Sequence, residues 1–488
     1  MFRTPISRCI GRVCTRVALM PALFLVSPGP ATAQTPLPQP LTLADALRLG
    51  ASVADTAPEI ALAQAQYDLA RAEHEATKSR FGLRAFVDLT PQTVTPATES
   101  GWVADSRARL IVTKPLYDFG RQRALAQASA VVVEAREQNF IDARAQRRVE
   151  IMARFFDVLL ADARYAVDNE TTASNYVAYD HARERRELGQ LSDIQLLESE
   201  NRYQEARVRR SAAEAEQRNA RMRLALALDR PDELPSELTP PALTELVPEA
   251  PELPDFKNVW AQLREHNPRL LAQRRELAGA QTTVAAERAR RRPVLSAEAE
   301  MAYYEREFLS RDDRRATLNL RIPLYQGGED RAATARAAAK RNEAEARLRR
   351  MEFELRQTLW ELLQEIETAK VQQQAAKVRA NYRELYLDRS RALYELELRT
   401  ELGDAMIRAT EAAWLSAQAD YRLALAWARL EALLGGPVAQ PPAPAAASAD
   451  VNASDAAGEP PAAPPSEANP SPATPNQAAP ISPASKEP

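Results

Sequence analysis

The sequence predicts a mainly α chain with a transmembrane β-barrel contribution, built as a duplicated helix–strand–strand–long helix–helix unit. Three observations predict it. Glycine and proline are absent from the 68 residues between Gly120 and Gly189 and from the 74 between Gly328 and Gly403. At about 1.5 Å rise per residue these are helices of roughly 100 and 110 Å, where globular helices average ~10–14 residues. Stretches of period two flank them. The motif Arg107-Ala108-Arg109-Leu110 … Pro115-Leu116-Tyr117-Asp118-Phe119-Gly120 recurs as Arg315-Ala316-Thr317-Leu318 … Pro323-Leu324-Tyr325-Gln326-Gly327-Gly328.

Residues 1–33 read as an export signal. Arg3, Arg8, Arg12 and Arg16 form a basic start, Val17 to Val26 an apolar core, and Ala31-Thr32-Ala33 a cleavage site. That core is too short to cross a bilayer as a helix, which needs about 20 residues. No run of about 18 apolar residues occurs elsewhere, so a membrane span must be made of strands.

The first repeat is expected over 34–230, with strands at about 82–91 and 106–115 and the long helix at about 121–188. Leu83, Ala85, Val87 and Leu89 alternate with Arg84, Phe86, Asp88 and Thr90, and Ala108, Leu110 and Val112 with Arg107, Arg109 and Thr113. Segments of about ten residues with one apolar and one polar face are the mark of outer-membrane barrel strands. Residues 231–256, rich in proline and glutamate, read as an extended linker.

The second repeat spans 257–436, with strands at about 294–304 and 315–323 and a long helix at about 329–398. Asn267-Pro268 starts a helix as Ala57-Pro58 does upstream. Leu348, Met351, Leu355, Leu359, Leu362, Ile366 and Ala369 make a coiled-coil stripe. The strands are expected as two isolated hairpins. From 437 to 488 the Pro/Ala/Ser composition predicts a disordered tail.

Composition excludes several functions. Lysine plus arginine number 64 against 67 acids, which removes the basic excess of a nucleic-acid binder. Cys9 and Cys14 both lie in the export signal, and His74, His181 and His266 are scattered without a metal-ligand spacing. No catalytic arrangement, cofactor site or metal site is expected, so an enzyme is not.

Four strands cannot close a barrel, and an open edge in lipid leaves backbone groups unpaired. Two chains would give eight strands around a filled interior; three give twelve and a pore. Here the order of elements, their twofold repetition and the twin P-L-Y-x-x-G turns resemble the outer-membrane efflux and secretion channels typified by TolC, over roughly residues 40–436. The resemblance implies a homotrimeric α/β-barrel tube in the cell outer membrane with its helical part in the periplasm. It would be the exit channel of a tripartite efflux pump or type I secretion system. Its implied partners are outer-membrane lipid, a periplasmic adaptor and an inner-membrane transporter of RND or ABC type. The alternative is a periplasmic or secreted coiled-coil structural or adaptor protein.

The resemblance also assigns the helical tips. Gly189, Leu191 and Ser192, and Thr400, Leu402 and Gly403, are the candidate adaptor-docking turns. Counting on from Gly189 puts Gln195 where the family has an acid; a two-residue deletion makes it Asp193 instead. Aligned from Tyr394-Glu395-Leu396-Glu397, Tyr394 and Arg399 fit an interprotomer lock. Aligned back from Leu434-Gly435, Glu401 and Asp404 fall on the paired entrance acids, and both hold only with a second deletion. The other reading leaves these acids on a solvated helix face.

Overall fold

The element order repeats. In the computed structural model, α1 (Leu43–Ser52) and α2 (Pro58–Ser79) lead into β1 (Arg84–Thr90), a small hairpin of β2 (Thr93–Val94) and β3 (Val103–Ala104), β4 (Arg107–Tyr117), α3 (Arg121–Glu187) and α4 (Asp193–Ala227). The second half gives α5 (Phe256–His266), α6 (Pro268–Ala289), β5 (Val294–Tyr304), β6 (Arg314–Arg321), α7 (Glu329–Glu395) and α8 (Leu402–Leu434). The structure describes residues 36–52, 57–95, 101–242, 247, 255–306, 312–396 and 402–436. The export signal and the tail from 437 onwards lie outside the described residues.

Corresponding helices match in length: α2 and α6 have 22 residues each, and α3 and α7 have 67. The turn that starts each long helix is repeated as well. Gly120 and Gly328 sit at φ +88° and +87°, and the residues before them, Phe119 and Gly327, at +56° and +59°. Two successive left-handed residues redirect the chain from strand to helix. Glycine does this freely, whereas Phe119 carries backbone strain of about 1–3 kcal/mol. Asp118 stabilises that turn by accepting from the backbone N–H groups of Gly120 (3.2 Å) and Gln122 (2.7 Å).

The helices form a wall four elements wide. Towards the sheet the packing order is α2–α3–α6–α7, and towards the far end it is α4–α3–α8–α7. Seven-residue spacing sets this geometry: Ala206, Ala213, Ala220 and Ala227 on α4 are all buried, as are Ala405, Ala412 and Ala426 on α8. A strict heptad winds helices into a left-handed supercoil, and alanine lets them approach closely.

Among the described residues the two large clusters of bigger side chains lie at mid-height. Leu41, Leu43 and Ala46 pack on Ile151, Phe155 and Phe156 of α3 with Leu224 and Leu228. In the second repeat Val259 and Leu263 of α5 pack on Leu355, Leu359, Leu362 and Ile366 of α7 with Trp427 and Leu430. Each such aliphatic side chain contributes about 1.5–3 kcal/mol. The stripe read from the sequence of α7 faces this core, with Leu348 and Met351 partly buried at its margin. The start of the 231–256 segment is docked here too, since Leu238 is buried and bridges Leu41 in parallel.

Asn267 ties the second repeat together. Its side chain caps α6 by accepting from the Leu270 N–H (2.8 Å) and donates to the Leu433 carbonyl at the end of α8 (2.7 Å). A cap of this kind is worth about 1 kcal/mol. Gly435 closes the same junction at φ +73°, where a Cβ would lie 2.5 Å from the His266 carbonyl oxygen.

The strands correct one expectation. They do not form two isolated hairpins: β4 pairs antiparallel with β5, giving one four-stranded sheet in the order β1–β4–β5–β6. The second edge of β4 carries unpaired N–H and C=O groups, and β5 satisfies them. Strand β4 also continues past 115 to Tyr117, across a register shift at Pro115. Proline has no N–H to donate there, so the ladder slips at that residue.

One partly buried acid makes stability pH-dependent. Asp142 on α3 accepts from Gln146 Nε2 at 2.6 Å. Burial raises its carboxyl above the ordinary carboxylate value, opposed by the nearby Arg269 guanidinium. The fold therefore prefers the protonated acid, and this contribution is lost as pH rises through the unfolded value towards the folded one. Asp142→Asn should raise the thermal midpoint at neutral pH, with the gain disappearing as pH falls to the carboxylate range near pH ~4. Melting curves across that interval check it; a lower midpoint at neutral pH would mean that the Arg269 attraction outweighs burial.

Candidate functional site

The sheet has two unlike faces. Val87, Leu110 and Met301 stand in register across three strands, as do Ala85, Val112, Ala299 and Ala316 across four. With Leu89, Tyr303, Leu318 and Leu320 they form an apolar face that this chain leaves exposed. Lys114 lies on the same face, in register with Ala297 and Leu318.

The opposite face is largely polar and cross-linked, with Phe86 and Ile111 among its charged groups. Arg109 Nη2 is 2.7 Å from Asp88 Oδ2 on β1, and its Nη1 is 3.5 Å from Glu300 Oε1 on β5. Glu300 Oε2 lies 4.0 Å from Arg315 on β6. One ladder of charges thus spans all four strands. Each residue was visible as polar in the sequence, but the ladder was not, because it needs the β4–β5 pairing between repeats. Thr113, Asn319 and Arg321 share this face.

At the helical end of the sheet the twin motifs project outward. Pro115-Leu116-Tyr117 end β4 and Pro323-Leu324-Tyr325 follow β6, and Leu324 and Tyr325 are 93% and 87% exposed. Tyr117 meets Phe119 edge-on at 4.8 Å between ring centres. Arg292 Nη1 donates to the Phe119 carbonyl (3.1 Å), so the second repeat holds the first repeat's turn. An exposed apolar face bordered by aromatic side chains is the pattern of a lipid-facing strand surface.

The far end carries the tips. Gly189 (φ +73°) ends α3, with its N–H on the Arg186 carbonyl and the Gln190 N–H on Arg185. Both bonds cap the last helical carbonyls. Leu191 follows in the turn, and Ser192 caps α4 in a reciprocal pair with Gln195 (3.3 and 3.1 Å). Gln195 therefore has a structural task of its own. Asp193 pairs with Arg186 across the turn at 2.9 Å.

In the second tip Tyr394 lies exposed in the last turn of α7. Asp404 pairs with Arg408 at 2.7 Å. Leu402 begins α8, and a Cβ on Gly403 would lie 2.8 Å from Ser174 Oγ, so this helix start packs tightly on α3. Arg399, Thr400 and Glu401 lie outside the described residues.

The two tips differ. Gly120 and Gly328 stand 208 residues apart, but the left-handed residues ending the return helices, Asp229 and Gly435, stand 206 apart. The second hairpin is two residues shorter than the first. Among the described residues no acid, histidine or cysteine cluster could hold a metal, and no helix is long and apolar enough to cross a membrane.

Comparison with known proteins agrees with this architecture. Residues 259–436 match the family model of the outer membrane efflux proteins. The Campylobacter jejuni CmeC outer membrane channel superposes with TM-score 0.65 at 14% identity, covering 82% of this chain and 86% of that one. The chain has an outer-membrane channel fold. The Neisseria gonorrhoeae MtrE outer membrane channel in its open state gives 0.65 at 16% identity, covering 80% of this chain and 89% of its own. A membrane protein from Pseudomonas aeruginosa gives 0.66 at 20%, covering 80% and 92%. No curated protein is matched by the sequence. The TolC-like resemblance is thus shown, by family model in the second repeat and by fold across both. Both support a location in the outer membrane.

The two sheet faces should respond differently to substitution. Arginine on a lipid-facing barrel site costs about 2–4 kcal/mol at the bilayer midplane. Leu318→Arg should therefore reduce the amount of channel assembled in outer membranes severely, and Asn319→Ala scarcely. Quantifying heat-modifiable, detergent-extracted protein checks this; equal tolerance would show that the apolar face does not meet lipid.

Proposed function

We propose that the chain forms the passive exit channel of an envelope-spanning export assembly, either a tripartite efflux pump or a type I secretion system. One observation carries the reading: sheet and helical wall share the same lateral order. Each of α2, α3, α6 and α7 continues into its own strand, and the strands follow as β1, β4, β5 and β6. The chain is therefore one segment of a wall, with β1, α2 and α4 at one margin and β6 and α7 at the other.

Both margins carry exposed apolar side chains. Leu62 and Leu69 on α2 and Ile194, Leu197, Val208 and Leu226 on α4 are exposed. On α7, Phe353 and Trp360 stand seven apart, as do Val371, Val378 and Leu385, and all are exposed. Two different margins meeting head to tail close into a ring when the rotation between copies closes. Three copies give twelve strands, the smallest multiple of four to leave a lumen. The polar face with its Arg109–Glu300 ladder would then line that lumen, and the apolar face would meet outer-membrane lipid.

In such a homotrimer the tips lie farthest from the membrane, where a periplasmic adaptor and an inner-membrane transporter would engage. The turns at Gly189, Leu191 and Ser192 and at Thr400, Leu402 and Gly403 would dock the adaptor. Glu401 and Asp404, three residues apart, would stack as two acidic rings in the entrance, with Asp193, Tyr394 and Arg399 holding it closed. Carboxylate rings in a narrow aperture favour cations.

The mass of the full chain in detergent tests the assembly: a trimer is expected, and a monomeric, water-soluble protein would remove the channel reading. The entrance is tested separately in planar bilayers. Replacing Glu401 and Asp404 with alanine should lower cation selectivity and weaken block by multivalent cations added on the tip side. Unchanged selectivity in an intact trimer would take both acids out of the pore.

A further inference from the structure

One cleft stands apart from the sheet and the tips. It has a volume of about 620 Å³ and lies where α1 crosses α3 beside the start of α2. Ala44, Leu47, Ala51, Ile60 and Ile151 make its apolar lining, and Arg48, Arg144, Arg147 and Arg148 supply four guanidinium groups. None of its lining residues is acidic.

The arginines here converge on one cleft. On the outer helix faces many arginines pair with a glutamate four residues away, as in Arg349–Glu345 and Arg218–Glu214. In the cleft Arg148 is exposed and has no partner among the described residues. Among the described residues Arg144 meets the Phe140 ring, 4.7 Å away. Arg48 reaches Asp45 at 2.6 Å.

Arg147 is the most telling. It is 8% exposed, and its Nη1 is shared between Glu59 (3.3 Å) and Glu150 (3.6 Å). Its buried Nε has no hydrogen-bond partner. A buried donor left unpaired is costly, and an anion in the cleft would supply the acceptor. Guanidinium groups suit that task because their planar fork matches carboxylate and phosphate oxygens. The apolar lining would take an aliphatic body, and the volume is that of a small-molecule pocket.

We infer that this cleft binds a small amphipathic anion, an acidic head group on a short aliphatic chain, held at the head by Arg144, Arg147 and Arg148. Its occupant would tie α1 to the α2–α3 pair at mid-height, independently of what passes through the channel.

Calorimetric titration of the full chain in non-ionic detergent with hexanoate, beside hexanol as the uncharged match, tests the inference. Saturable binding of hexanoate alone is expected. Arg144→Ala with Arg148→Ala should weaken it at least tenfold, and Arg148→Ala alone by a lesser factor, with oligomer size and melting unchanged. Crystals soaked in 6-bromohexanoate should place the bromine over Ile60 and Ile151. Absence of saturable binding, equal binding of hexanol, undiminished affinity in the Arg148→Ala protein, or bromine found elsewhere would overturn the assignment. None of these outcomes depends on channel activity.

Discussion

A strand edge cannot be left open in hydrocarbon. Every backbone N–H and C=O that enters lipid must find a partner, because no water is there to offer one. Four strands in one chain leave two edges, β1 and β6, and the remainder of the architecture is consistent with having to close them. The same lateral order runs from the strands into the helices, so whatever closes the sheet also closes the helical wall. Exposed apolar side chains line α2, α4 and α7, the helices at the two margins, although α3 also exposes Ile141, Tyr176 and Val177.

The wall itself relies on modest interactions repeated over a great length. Alanines at sevenfold spacing bring the helices together, but each buries little surface. Among the described residues the two large cores lie at mid-height, where α1 and α5 cross the long helices. Two features keep these helices continuous over 67 residues: the absence of glycine and proline within them, and left-handed turns at each start. Phe119 shows how demanding that turn is, since an aromatic residue takes a conformation that the second repeat gives to Gly327.

Much of this was legible in the sequence, and the exceptions have a common cause. The period-two stretches and the glycine- and proline-free runs are patterns of contiguous sequence, and the twin motifs are read by matching one such stretch to another. The β4–β5 pairing joins residues nearly two hundred apart, and no local pattern announces it. The charge ladder from Asp88 to Arg315 was unreadable for the same reason, as was the meeting of Arg48 with Arg144 and Arg148. Gln195 shows a subtler limit: counted as a place where an acid might stand, it proves to be half of a helix cap. At the tips, heptad repetition makes neighbouring registers look alike, so the sequence left Glu401 and Asp404 competing with Tyr394 and Arg399 for one alignment.

The two-residue difference between the hairpins bears on symmetry. An internally duplicated chain, set three times around an axis, resembles a sixfold object. Near the sheet that resemblance is close, because the paired helices have equal lengths. At the tips it breaks down: long and short hairpins would alternate around the rim, and the grooves between them would be of two kinds. A partner able to sense that alternation could tell one groove from the next and so choose its position around the ring.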